Sequence, residues 1–262
     1  RGEPRSCLSQ ADRSGARPMT GALLLQELRF QLRHGFGLAY LLVLGVYLLG
    51  LYLVPPILQP VLLAFMLLSD PLTVGLIFVG GVVQLEEAMG LTPPLFITPL
   101  SPRRFLFNRV LAFSVLGAAL ALVLLLLSPE AAFSSTSLNR RGIVLFSLLL
   151  VLPTSAALTL LGAALAYRVR SVNGYILAVA PLLLIVAAPL LSWLPQVSTL
   201  WFVWSPSYLP VVFLGVLFGI LELPPVLWIL LGTLLFLGWG SGGGALALRM
   251  LRRQLRRSVG GL

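Results

Sequence analysis

Long apolar runs separated by short polar segments dominate the chain. A bilayer crossing takes about 20 apolar residues in a helix, and each run reaches about that length. The pattern therefore predicts an all-α integral membrane protein with no room for a sizeable soluble domain. The runs lie at about residues 36–54, 57–85, 105–127, 142–167, 174–193, 200–221 and 226–248.

The chain before the first run divides into two regions. Residues 1–18 are polar and precede the first methionine, Met19, and we expect them to be a disordered or non-native tail. In residues 22–33, leucines share one helical face while Gln and Arg side chains share another. This pattern predicts an interfacial elbow helix, and it also fits the first turns of the following span.

The positions of the arginines indicate how many runs cross the membrane. With both termini in the cytoplasm and residues 200–221 not crossing, only Arg140 and Arg141 of the arginines after Met19 lie outside. A full crossing by residues 200–221 would place the arginine cluster near the C-terminus outside, against the positive-inside rule. We therefore predict six transmembrane helices, with a re-entrant or interfacial hairpin before the last span.

These boundaries define one folded unit. The six-span domain covers residues 19–257, and residues 258–262 form a C-terminal tail. The stretch from Trp201 to Pro210 is rich in aromatic residues and proline, a composition typical of a membrane–water interface.

Composition narrows the chemistry that the chain can perform. Charged residues are 10% of the chain, hydrophobic residues are 58%, and all 18 basic residues are Arg. Without lysine, the P-loop of an ATPase is excluded. The net charge of +10 fits membrane topology better than nucleic acid, because the arginines lie between apolar runs. With one Cys and one His, we expect no catalytic residue, metal site or cofactor in this chain.

Asp70 stands inside an apolar run. Acidic groups at membrane depth are costly and are therefore candidates for function. The pair Asp70-Pro71 also fits a helix start, with Asp as the capping residue and Pro in the first turn, or a kink. Capping or a kink is the preferred interpretation, and a role in a transport pathway is the alternative.

Residues 86–104 are too long for a plain turn between two spans. Two glutamates leave the apolar run, a glycine follows, and a semi-apolar stretch leads to two arginines. A short helix on the cytoplasmic face would offer a surface for a partner protein. The residues of this predicted coupling segment that we single out are Glu86, Glu87, Gly90, Thr98, Pro99, Leu100, Arg103 and Arg104.

At these residues the sequence resembles the type-two permease family of ABC exporters, in its fluoroquinolone and multidrug branch. The shared pattern contains Asp-Pro, a Gly and a Phe in the second span, a Glu-rich exit, a Gly, Ile-Thr-Pro-Leu, an aromatic residue and a basic residue. Glu87 and Pro93-Pro94 depart from it. The matching residues are Asp70, Pro71, Gly75, Phe78, Glu86, Gly90, Ile97, Thr98, Pro99, Leu100, Phe105 and Arg109.

The resemblance implies a permease subunit that performs no chemistry itself. A separate ABC ATP-binding subunit, carrying ATP and Mg²⁺, would dock on residues 86–104 and on the elbow. A second permease copy or a paralogue would complete the pathway among the membrane lipids. Amphipathic or drug-like molecules would move outward across the plasma membrane. Two alternatives stay open: an ion-coupled secondary transporter that uses Asp70, and a haem-export or assembly-type membrane component.

Overall fold

The fold is described from a computed structural model, over residues 21, 25, 27–29, 31, 33, 35–89, 101–136, 138–169 and 171–259. Within this part of the chain there is no β-strand, which confirms the all-α fold class. The predicted tail of residues 1–18 lies outside the described residues. The same holds for residues 90–100 of the predicted coupling segment, among them Gly90, Thr98, Pro99 and Leu100.

The described residues from 36 onward form eight α-helices. Short 3-10 turns and one π-helical segment, Thr73–Phe78, connect or extend them. The α-helices are α1 (Phe36–Leu53), α2 (Gln59–Leu72), α3 (Val79–Ala88), α4 (Pro102–Leu127), α5 (Arg140–Ala166), α6 (Val172–Ala187), α7 (Tyr208–Leu217) and α8 (Val226–Val259).

Five helical segments of the described chain are long and apolar enough to cross a bilayer. The protein is therefore a helical multi-pass membrane protein. With 18 residues, α1 spans about 27 Å, slightly less than the hydrocarbon core. The run at 200–221 forms no crossing helix, because α7 has only 10 residues. The five segments are Pro56–Ala88, Pro102–Leu127, Arg140–Ala166, Val172–Trp193 and Val226–Gln254.

The N-terminal segment and α1 are separate helices. Every described residue from 25 to 33 is helical, but Gly35 follows with φ of 84°, a left-handed conformation that breaks a helix. The segment is therefore not the first turns of α1. Its position in the membrane interface stays a prediction.

Side-chain caps explain where three of the long helices begin. The hydroxyl of Ser101 accepts a hydrogen bond from the Arg104 amide at 3.4 Å, with Pro102 in the first turn of α4. Asn139 caps α5 through the Gly142 amide at 2.8 Å, and Ser171 caps α6. Such caps satisfy amides that have no partner within the helix.

The second apolar run forms one helical unit, Pro56–Ala88. Asp70 lies inside α2 together with Pro71, so it caps no helix start and the capping interpretation was wrong. A kink at Pro71 stays a prediction. The helix instead passes into the π-helical segment Thr73–Phe78. Proline removes a backbone donor and crowds the preceding turn, and such local mismatch is often absorbed by wider turns.

The helices divide into a buried centre and a periphery. The most apolar part of Pro56–Ala88 is 61% buried, whereas that of α8 is 11% buried. The core is formed largely by α2, α3, α4 and α5, with side chains such as Leu67, Phe113 and Leu158 inaccessible or nearly so. The outward faces of α6 and α8 expose leucines and isoleucines, as expected of helices in contact with lipid.

Candidate functional site

A buried arginine binds two glutamates where four segments of the chain meet. The guanidinium of Arg109, on the second turn of α4, donates from Nε to Glu27 at 3.2 Å and from Nη2 to Glu86. Its Nη1 donates to the hydroxyl of Tyr167 at 3.0 Å. The ring of Phe105 lies 4.7 Å from the guanidinium carbon. We call Glu27, Glu86, Arg109 and Tyr167 the Arg109 node.

The charged side chains of the node are paired with one another. Arg109 is only 1% exposed, and burial of an unpaired cation would cost several kcal/mol. Two carboxylates offset its charge and leave the node formally at −1. Burial raises the pKa of the Tyr167 phenol to about 12, despite the neighbouring Arg109, so it stays neutral at ordinary pH.

The node joins elements that are distant in sequence. Glu27 belongs to the N-terminal helix, Glu86 to the last turn of α3, and Tyr167 directly follows α5. Two residues before Glu86, the Gln84 amide donates to the carbonyl of Val169 at 2.9 Å. The N-terminal helix also packs inward at Gln31, which is fully buried. The node and Gln84 therefore hold the N-terminal helix, α3, α4 and the end of α5 together.

The residues predicted for the coupling segment separate into two groups. Glu86 lies in the node, while Glu87 is half-buried and makes no ion pair within the described part of the chain. Arg103 and Arg104 are exposed on the first turn of α4. The structure thus pairs Glu86 with Arg109, a residue that entered the sequence analysis only through the family pattern.

Sequence reasoning missed Glu27 and Tyr167. Glu27 is the one acidic residue of residues 22–33, which was a usable signal, because a carboxylate on an interfacial helix needs a partner. No such signal marks Tyr167, since it is an aromatic residue at the end of a span. The pairings with Arg109 bridge 82 and 58 residues, and no local spacing reveals contacts of that range.

The π-helical segment is a second notable feature, and it lies between Asp70 and the node. A Cβ on Gly75 would lie 2.8 Å from the Leu158 Cβ, so α5 approaches the backbone closely there. Gly162 packs against the carbonyl of Gly75 in the same way. From α6, the Tyr175 hydroxyl donates to the carbonyl of Leu76. The segment is thus held from two sides by neighbouring helices.

Asp70 and Pro71 are buried in the second span, away from the node. Asp70 is 4% exposed. The adjacent Ser69 hydroxyl pairs with the Tyr47 hydroxyl of α1 at 2.7 Å. These three polar side chains form a small polar region within otherwise apolar helices.

A cavity of about 390 Å³ opens between α5, α7 and the residues before α5. Its lining is mainly apolar and includes the rings of Phe146 and Phe213, which meet edge to face at 6.1 Å. Ser135 and Thr136 add two hydroxyls at its edge. The volume lies in the range of small-molecule sites.

Among the described residues, no three His, Cys, Asp or Glu side chains gather as metal ligands would.

Compared with known proteins, the chain matches no family model and no curated sequence.

Proposed function

We propose that this chain is the membrane-spanning permease subunit of an ATP-driven exporter of the ABC type. In this proposal a separate ATP-binding subunit docks on residues 86–104 and on the N-terminal helix. The cargo is amphipathic or drug-like and moves outward across the plasma membrane. Two permease chains, identical or paralogous, enclose the pathway.

The observation that carries the proposal is the Glu86–Arg109 pair. Glu86 lies at the start of the predicted coupling segment and Arg109 lies five residues beyond its end. Because the two side chains bind each other, a force applied to the segment acts on α3 and α4 together. Tyr167 and Gln84 extend that linkage to the end of α5. A partner that moved the segment would thereby move three spans as one body.

The N-terminal helix fits the same scheme. Glu27 binds Arg109 at 3.2 Å, so this helix shares the node with the flanks of the coupling segment. A partner in contact with both surfaces would act on one connected set of helices. In the proposal the helix is the elbow, it lies in the cytoplasmic interface, and both chain termini are cytoplasmic.

Six crossings follow if α1 is counted as a span. The helix is about 27 Å long, so slight thinning of the bilayer, or the residues that flank the helix, would complete a crossing. The short α7 and the turns before it then form the hairpin that precedes α8. This arrangement leaves Arg140 and Arg141 on the outer side and the other arginines after Met19 inside.

The described interior supports an amphipathic cargo. The cavity beside Phe146 and Phe213 is mainly apolar, with hydroxyls only at its edge. A strongly charged solute would lose its hydration there without gaining partners. An amphipathic molecule, with an apolar body and a polar end, suits such walls.

Asp70 favours a second candidate function, ion-coupled transport. It is a buried acidic side chain in the second span, near Tyr47 and Ser69. Such a group could bind and release a proton during each cycle. We rank this candidate second because the described spans offer few other titratable groups for a relay.

Three perturbations of one efflux assay separate the candidates. The full chain, expressed with its ATP-binding partner, is assayed for efflux of an amphipathic fluorescent dye. The proposal expects loss of efflux on ATP depletion, little effect of a protonophore, and near-normal efflux by Asp70→Asn. Efflux that stops with the protonophore and with Asp70→Asn, yet survives ATP depletion, would establish ion coupling instead.

A further inference from the structure

The C-terminal part of α8 carries a row of arginines beyond the apolar region. α8 has 34 residues, which corresponds to about 51 Å, whereas the hydrocarbon core is about 30 Å thick. The helix therefore continues well past the membrane core. Its final turns contain Arg249, Arg252, Arg253, Arg256 and Arg257.

These arginines share one side of the helix. Relative to Arg249 they stand three, four, seven and eight positions later, the spacing of a single helical face. Arg249, Arg252 and Arg253 are exposed, while Ala247 and Leu251 on the opposite face are buried against the bundle. The exposed row of Arg249, Arg252 and Arg253, which we call the arginine stripe, thus faces away from the protein core.

The charge of the stripe is not balanced within the described chain. Arg109 binds two glutamates, and Arg140 binds Glu130 and three backbone carbonyls. Arg249, Arg252 and Arg253 form no ion pair with any described residue. Like charges three and four positions apart repel each other and destabilise a helix. An anionic partner along the stripe would remove that repulsion.

We propose that the arginine stripe binds the phosphate groups of anionic phospholipids in the leaflet where α8 leaves the membrane. The stripe begins at Arg249, directly after the apolar run that ends at Leu248, which places its first turn at headgroup depth. Guanidinium groups bind phosphate oxygens through paired hydrogen bonds. The stripe extends over about 6 Å along the helix, a length that matches the headgroup layer on one side of the bilayer. This inference does not depend on the proposed transport function.

The probes are dioleoyl phosphatidylglycerol and dioleoyl phosphatidylcholine, added separately to the full-length protein in detergent. Bound lipid per protein is measured by native mass spectrometry. Each basic residue near an anionic membrane contributes about fivefold in affinity. We expect the wild-type protein to prefer phosphatidylglycerol, and R249Q/R252Q/R253Q to lose that preference by roughly tenfold or more.

Two variants control for fold and for total charge. R249K/R252K/R253K keeps the charge and should keep most of the preference, because lysine still attracts phosphate. R29Q/R33Q/R168Q removes three exposed arginines that form no continuous row and should lose clearly less of the preference than R249Q/R252Q/R253Q does. Helical circular dichroism identifies any variant that is misfolded, and for such a variant the single substitutions R249Q, R252Q and R253Q are compared instead.

Several outcomes would overturn the proposal. One is equal retention of both lipids by the wild-type protein. Another is an equal loss of preference in R29Q/R33Q/R168Q, which would assign lipid binding to general charge and not to the stripe. A third is unchanged lipid binding by R249Q/R252Q/R253Q combined with loss of a co-purifying protein, which would make the stripe a protein-docking surface.

Discussion

Arg109 places a full positive charge among packed helices, and three of its nitrogen atoms have partners. A buried ion pair adds little stability compared with apolar side chains of the same shape. Removal of one partner, however, leaves the other charge buried without compensation. The stability of the fold should therefore be sensitive to single substitutions in the node. It should tolerate a variant in which all three charged side chains of the node are made neutral.

Substitution Arg109→Gln should lower the free energy of unfolding in detergent by about 3–5 kcal/mol, because Glu27 and Glu86 would remain as unpaired carboxylates. The triple variant E27Q/E86Q/R109Q should recover a large part of that loss. Thermal unfolding followed by circular dichroism measures both. The matched control is Arg141→Gln, which removes an exposed arginine and should change stability by no more than about 0.5 kcal/mol. Equal stability of R109Q and R141Q would contradict the role of the node.

Tyr167 provides a pH test of the same site. Its folded-state pKa of about 12 lies above the usual value of 10.0. Above pH 10 the unfolded chain loses the phenol proton while the folded chain retains it, so stability falls as pH rises from about 10 to 12. Tyr167→Phe should show a shallower fall in unfolding temperature over this interval than the wild type. If the unfolding temperatures of the two proteins fell in parallel over this interval, the raised pKa of Tyr167 would be contradicted.

At the scale of helices, the close contacts around Thr73–Phe78 determine how α5 packs on the second span. Gly75 and Gly162 allow the two backbones to approach, and Tyr175 donates to the Leu76 carbonyl from the other side. Small residues at helix crossings in membranes allow such packing. Because π-helical turns break the regular register of a helix, this segment is also a natural point of bending.

Replacement of glycine by alanine should therefore destabilise the protein at the close contacts and not elsewhere. Gly75→Ala and Gly162→Ala should each destabilise the protein by about 1–3 kcal/mol through overpacking. Gly242→Ala in α8 is the control, because no other atom lies within 4 Å of a Cβ placed there. It should be neutral or slightly stabilising, since alanine favours helices more than glycine does. The measurement is the unfolding temperature of each variant in detergent. Equal changes in unfolding temperature for Gly75→Ala and Gly242→Ala would refute the close packing.

The helices were largely predictable because apolar length alone marks a membrane crossing. The predicted span at 105–127 became Pro102–Leu127, and that at 142–167 became Arg140–Ala166. Both helices start earlier than hydropathy indicated, because Ser101 and Asn139 cap polar first turns. The π-helical segment was not predictable, since its apolar pattern differs too little from that of an α-helix.

The site was predictable only in part. Glu86 was identified because it ends an apolar run with an acidic residue. Its partners come from other spans, and the pairing depends on helix packing that one sequence does not encode locally. The capping interpretation of Asp70-Pro71 was wrong, because the same dipeptide also suits the interior of a long helix that continues into a π-helical turn.

At the scale of the whole molecule, the structure separates a packed centre from a lipid-facing periphery. The second span, α4 and α5 form the centre and meet at the Arg109 node. α6 and α8 lie outside, with largely exposed apolar faces. A partner acting at residues 86–104 would therefore reach the central helices directly. The proposed exporter requires that this connection convert ATP hydrolysis into movement of cargo.

The most direct measurement is the number of dye molecules transported per ATP hydrolysed in vesicles that contain the chain and its ATP-binding partner. Glu86→Gln keeps an oxygen that Arg109 can bind but removes the charge, and Glu130→Gln is the matched control at a side chain that is 95% exposed. We predict that E86Q transports at least about tenfold less dye per ATP, while E130Q equals the wild type, as expected for loss of a charge-assisted bond. Wild-type transport per ATP in E86Q would contradict the central claim.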